Sequence, residues 1–269
     1  MIVTRPLTIG ELFDRATTHL VRRLTPVIAL SIALAIPQIV QRELLRNGDA
    51  RHDSGVIVVW LLVVFLEAAP TLIGFAAFVR LFAADDDLTL VRAVHLVLED
   101  DLWPLVRLAL LALFATLIAI VVYLTGLSVV RYGVAVLVEA YAVLFAAVAL
   151  PGIVFSQLAF ATCVLDGTPA TVSIRNTIER AFGTSASRWR TVLLLYAVLL
   201  AELVPTYIVD LGSSALVRLT HVRLTAEVGN ALGAAIGTAI SAALLTVAAI
   251  DYRVRADGLD LEASLDGTA

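Results

Sequence analysis

Lysine is missing from this chain of 269 residues, and all 19 basic side chains are arginine. So uniform a choice reads as genome composition rather than chemistry. Cysteine is nearly missing too. Cys163 stands alone, which excludes an internal disulfide and a cysteine metal cluster and leaves a buried thiol as the default. Charge is scarce at 16% of residues, the formal net charge is -4, and no patch mixes arginine with stacking aromatics, so nucleic acid is not an expected partner. Also lacking are a Gly-x-Ser-x-Gly elbow, a glycine-rich phosphate loop and any His-x-x-x-His spacing; His19, His52, His95 and His221 lie far apart. Hydrolase, nucleotide and zinc chemistry therefore have no residues to build on, and no catalytic group, cofactor or metal is expected.

What the chain has in excess is apolar sequence. Hydrophobic residues make up 60% and mean hydropathy is +0.96, values outside the range of soluble domains. The stretch 7–40 shows how that excess is organised. Ile9, Leu12, Phe13, Ala16, Leu20 and Leu24 recur at three- and four-residue steps, which gathers them on one helix face. Thr8 with Glu11 forms a capping box that satisfies backbone donors of the first turn. No charge then follows from Leu24 to Gln41, and about 20 residues cross the hydrocarbon of a bilayer. The spacing thus predicts an interfacial helix feeding a membrane span. A cleaved leader is not expected, because Glu11 and Asp14 stand where a signal peptide is basic.

The rest of the chain restates that unit. Six spans are expected, at 24–41, 56–79, 105–130, 134–165, 190–211 and 228–250, with Pro151-Gly152 the place for a kink in the fourth. A second amphipathic segment follows Asp85, Asp86 and Asp87; it has Thr89 as cap and Leu90, Val94, Val97, Leu98 and Leu102 on one face. A third follows Asp166-Gly167-Thr168-Pro169, with proline at its first position, Ile174, Ile178, Ala181 and Phe182 on its apolar face, and Gly183 at its end. Thr8, Thr89 and Thr168 stand at similar points in the three units, 81 and 79 residues apart. Either the chain is three copies of helix plus hairpin, or three caps coincide. The expected fold class is all-α, a single membrane domain over 1–269 with a tail at 251–269.

Arginines set the orientation. Arg5, Arg15, Arg22, Arg23, Arg80, Arg92, Arg107, Arg175, Arg180, Arg188, Arg190, Arg253 and Arg255 fall on the N-terminal side, and Arg42, Arg46, Arg51, Arg131, Arg218 and Arg223 fall opposite. Both termini are then cytoplasmic in a bacterial cell membrane. The amphipathic helices line the cytoplasmic face, with Trp103 and Trp189 at the interface.

Two features inside the spans invite a function. Gly229, Gly233, Gly237 and Ser241 form a stripe of small residues at four-residue steps, which packs a helix closely within this bundle or against a second copy. Glu139 and Asp210 lie near span ends, where carboxylates reach the headgroups, whereas Glu67 and Glu202 lie deeper. Each of these two stands 12 residues in from the cytoplasmic ends Val79 and Arg190, roughly 18 Å into a core about 30 Å thick. Each opens a Glu-x-x-Pro-Thr run, ending at Thr71 and Thr206. Proline frees a carbonyl that the threonine or a water can satisfy. The four residues make a candidate polar site, to be read as a proton relay or cation site or as a structural hydrogen bond between spans.

The closing run Asp251-Tyr252-Arg253-Val254-Arg255-Ala256-Asp257-Gly258-Leu259-Asp260-Leu261 resembles the end of the bacterial glycerophosphoryl diester phosphodiesterase membrane-domain family. So do Arg5-Pro6-Leu7-Thr8-Ile9-Gly10-Glu11-Leu12-Phe13-Asp14 and the segment Leu165-Asp166-Gly167-Thr168 leading to Arg175. The soluble barrel of the family's name-giving members has no counterpart here, nor do its His-Arg pair and Glu-x-Asp metal set. The resemblance implies a membrane module without phosphodiesterase activity. The expectation is a non-enzymatic scaffold or partner module linked to lipid handling, in contact with membrane lipids and with another membrane protein or a second copy. The alternative is a small transporter or channel using Glu67 and Glu202.

Overall fold

The computed structural model describes residues 7–47, 55–84, 88–130, 135–220 and 224–266. Among them it is all helix, in the order α1 (Ile9–Arg22), α2 (Leu24–Asn47), α3 (Gly55–Ala83), α4 (Leu90–Leu96), a π turn (Val97–Asp101), α5 (Leu102–Val130), α6 (Ala135–Asp166), α7 (Ala170–Phe182), α8 (Ser185–Thr220) and α9 (Leu224–Asp266). Asp85, Asp86, Asp87, Arg51, Arg131, His52, His221 and Arg223 lie outside the described residues, as do the side chains of Arg42, Arg46, Glu67 and Asp210.

Four described helices are long and apolar enough to cross a bilayer, over Leu90–Ser128, Leu137–Asp166, Ser187–Ala215 and Glu227–Ala256. A fifth candidate is the bent pair Ile9–Arg22 and Leu24–Val40. The expected span 56–79 falls in α3, whose described apolar stretch, Ala68–Ala83, is shorter. The 84° bend between α1 and α2 is what an in-plane helix feeding a span requires. Thr8 and Glu11 do form a reciprocal capping box at its start.

α3, α6 and α9 pack on one another at the centre; α2 lies on α3, α5 on α6 and α8 on α9. The short helices complete the arrangement: α4 packs on α3, α7 on α6 and α1 on α9. The core gathers at the end of the bundle that carries these short helices, with Phe78, Val79, Leu81, Leu158, Ala161, Val164, Leu245 and Val247 all fully enclosed. Toward the other end the apolar side chains of α5, α6 and α8 face outward, among them Phe114, Val121, Val148 and Tyr207. Outward apolar surface of that extent suits lipid.

Several expectations change at this level. The α4 face turns on Ala93 and Val97, both fully buried, while Leu98 and Leu102 are exposed. The reason is the π turn, whose wider i→i+5 coil breaks the three- and four-residue register. In α7 the buried stripe is Ala170, Ser173, Thr177 and Ala181, and Ile178 is exposed. Small hydroxyl residues let α7 approach α6 closely enough for Ser173 Oγ to donate to the Ala159 carbonyl at 3.0 Å. Thr168 does not cap α7: Pro169 holds the cap position with no side-chain bond, after Gly167 has ended α6 at φ +59. α6 runs on through Pro151 as one element. Finally, the expected tail is not a tail at its start. α9 continues to Asp266, and Asp251 and Tyr252 are buried.

Candidate functional site

The small-residue stripe and the Glu202 group prove to be two sides of one contact. α8 lies along α9 with its closest approach on the stripe. A Cβ added to Gly237 would stand 2.9 Å from the Glu202 carbonyl oxygen, and one added to Gly233 would stand 3.3 Å from Thr206 Cα. At Gly229 it would meet Ser213 Cβ at 2.6 Å. Absent side chains thus set the helix separation. Ser241, the fourth member, donates from Oγ to Glu202 Oε2 at 3.0 Å. Thr206 Oγ1 donates to the Glu202 carbonyl at 3.0 Å, its own i−4 carbonyl, rather than to the Ala201 carbonyl that Pro205 frees. It also approaches the Gly233 carbonyl at 3.4 Å. A groove of about 600 Å³ opens beside this contact, lined by Thr206, Tyr207, Asn230 and Ala234.

Thr71 is partly buried on α3. α6 and α9 are packing neighbours that α3 and α8 share. Glu139 is exposed near the start of α6.

Sequence reasoning passed over a second polar layer, at the end of the bundle where the short helices sit. Arg80, near the end of α3, makes a two-pronged pair with Asp101 in the π turn, both bonds 2.8 Å. Asp166, the last residue of α6, takes Arg180 of α7 at 2.7 Å and has Arg253 of α9 at 3.6 Å. Asp251 of α9 is fully enclosed. It accepts from the Leu7 backbone N–H at 2.6 Å, from Arg190 at 2.9 Å and from Arg255 at 2.9 Å. Arg255 in turn donates to the Leu7 carbonyl at 2.8 Å, so α9 grips both backbone polar atoms of one residue ahead of α1. Beside it Tyr252 and Thr191 share a hydrogen bond of 2.8 Å.

A buried ion pair is favourable only when its lone pairs and protons are satisfied; three donors serve the Asp251 carboxylate, while Nε of Arg190 is buried without a hydrogen-bond partner. One signal for these groups was available in sequence: Asp251 and Arg255 stand at the i,i+4 spacing of a helical ion pair. The long-range partners left no local trace. Arg23 likewise reaches across to the Ala84 and Leu88 carbonyls, at 3.2 and 3.0 Å. Cys163 is buried, with its thiol near the Thr168 carbonyl at 3.4 Å. Among the described residues no three His, Cys, Asp or Glu side chains gather as a metal site.

No family model matches the chain, and no solved structure matches it. Over 151 residues, 54% of the chain, it is 34% identical to a Na(+)/H(+) antiporter NhaA 1 of Mycolicibacterium gilvum (strain PYR-GCK). The match covers 22% of that protein, so the chain spans about a fifth of the length of the curated relative it matches.

Proposed function

We propose that this is a six-span protein of the bacterial cytoplasmic membrane, both termini inside, that works as a non-enzymatic scaffold or partner module in lipid handling. The reading rests on the cyclic order of its packing. The helix that would close each hairpin unit meets the amphipathic helix of the next: α3 meets α4, α6 meets α7, and α9 returns to α1. A polar link accompanies each step, Arg80 to Asp101, Asp166 to Arg180 and Asp251 to Leu7. Three repeats closed in a ring account for this order, and a ring closed by two ion pairs and a backbone hydrogen bond favours a rigid platform over a pathway. The lipid connection comes from the resemblance of the opening, middle and closing motifs to the glycerophosphoryl diester phosphodiesterase membrane-domain family.

One observation favours the transporter reading: a membrane-depth carboxylate, Glu202, has a hydroxyl partner beside a groove, in a chain with partial similarity to an antiporter. On that reading Glu67 and Thr71 complete a shared proton or cation site with Glu202 and Thr206. The two readings part in proteoliposomes carrying a pH-sensitive dye. The platform reading expects sodium-driven proton flux no greater than in empty vesicles. Flux that vanishes in Glu202→Gln and survives in Glu139→Gln would establish the carrier instead.

A further inference from the structure

A crevice of about 490 Å³ lies between α1, α8 and α9. The described residues that line it carry no charge, and Thr17 is the one hydroxyl among them. We propose that it holds one acyl chain of a membrane phospholipid, tucked beneath α1.

The apolar stripe of α1 is only partly used in packing. Leu12 and Ala16 are buried, whereas Phe13 and Leu20 are partly buried and line the crevice. α1 rests on α9, and the crevice is the gap left between α1 and α8. Ile240 and Leu244 of α9 form its floor, and Ala197, Ala201 and Pro205 of α8 form the far wall. Side chains so short cannot close it. Leu200 and Val204, 61% and 50% exposed, make the lip, so the crevice is continuous with the outward apolar face of α8 that meets lipid.

Shape decides the occupant. α1 stands at 84° to α2 and so lies across the cytoplasmic end of the crevice, where a spanning helix of a partner, about 10–12 Å across, would run into it. An acyl chain is thinner and ends inside the bilayer. The α8 wall rises eight residues from Ala197 to Pro205, about 12 Å, against about 15 Å for the hydrocarbon of one leaflet. Lipid tails are as apolar as these walls, so the hydrophobic effect gives little here, and the chain is held by the dispersion contacts that an empty gap would forfeit. Glu202 turns to Ser241 and does not line the crevice. The site thus goes beyond both the platform and the carrier readings, and its failure would leave each of them standing.

The test reconstitutes the full chain in phosphatidylglycerol bilayers containing a trace of the same lipid with a photoreactive diazirine midway along one chain. Adducts are mapped by peptide mass spectrometry. Those on residues 13–20 and 197–205 should exceed those on 114–121, which face lipid from α5. Ala197→Phe fills the crevice from α8, and Thr17→Phe fills it from an exposed position on α1. Each should lower the crevice adducts about tenfold, since ring and chain compete for one space. Leu117→Phe, on the outward side of α5, should leave them unchanged. Circular dichroism and melting temperature check the fold, and Thr17→Phe decides if Ala197→Phe does not fold. Even labelling of the crevice and α5, or parent-level labelling in the folded filling variants, overturns the proposal. A second copy seated in the crevice would overturn it as well, read as disulfide joining of two chains through Leu200→Cys in a Cys163→Ser background.

Discussion

Glu202 owes its setting to residues that are small. Gly237 lets the α9 backbone come close enough for Ser241 to reach the carboxylate. Ser241→Ala should therefore cost about 1 kcal/mol, the usual worth of such a bond within membranes, read as a drop in unfolding free energy in mixed micelles. Gly237→Leu is expected to cost more, about 1–3 kcal/mol, because the new side chain must push α8 away. Gly152 offers the opposite case. Nothing lies within 4 Å of a Cβ built there, and the position is helical, so Gly152→Ala should stabilise by about 0.4–1 kcal/mol through the unfolded chain. Equal destabilisation by both glycine substitutions would show that the α8–α9 approach is not what the stripe provides.

Among the elements, the joints matter more than the spans. The π turn at Val97–Asp101 both spoils the expected face of α4 and delivers Asp101, 3% exposed, to Arg80. α9 plays the larger part, since it packs on α1, α2, α3, α6, α7 and α8 and joins the chain's beginning to its end through Asp251. Asp251→Ala would leave Arg190 inside the bundle without its carboxylate, so a loss of about 3–5 kcal/mol is expected. Thermal unfolding in detergent should register it as a large fall in midpoint, with Arg175→Gln at the surface staying within about 0.5 kcal/mol of the parent. If Asp251→Ala melts like the parent chain, the grip on Leu7 is not structural.

For the molecule as a whole, orientation is the property most open to test. In a Cys163→Ser background, cysteines placed at Asn47 and Thr220 should react with an impermeant thiol reagent added outside intact cells. A cysteine at Arg175, exposed on α7, should react only after the membrane is opened. Outside labelling at position 175 would invert the topology and with it the arginine argument.

The helical membrane class, the cap of α1 and the near-perpendicular turn into α2 were legible in sequence, because they depend on local spacing and on the length an apolar run needs to cross lipid. Residue order also exposed the stripe from Gly229 to Ser241 and the place of Glu202 within a long apolar helix, yet not that each is the other's partner. That pairing joins positions 39 apart. The polar layer around Asp101, Asp166 and Asp251 was hidden for the same reason, with one link spanning 244 residues. Arginines and aspartates at the ends of apolar runs look alike whether water or a buried partner satisfies them. Only the folded arrangement of α3, α6 and α9 decides which, since the desolvation that makes a charge seek a partner begins when the helices meet.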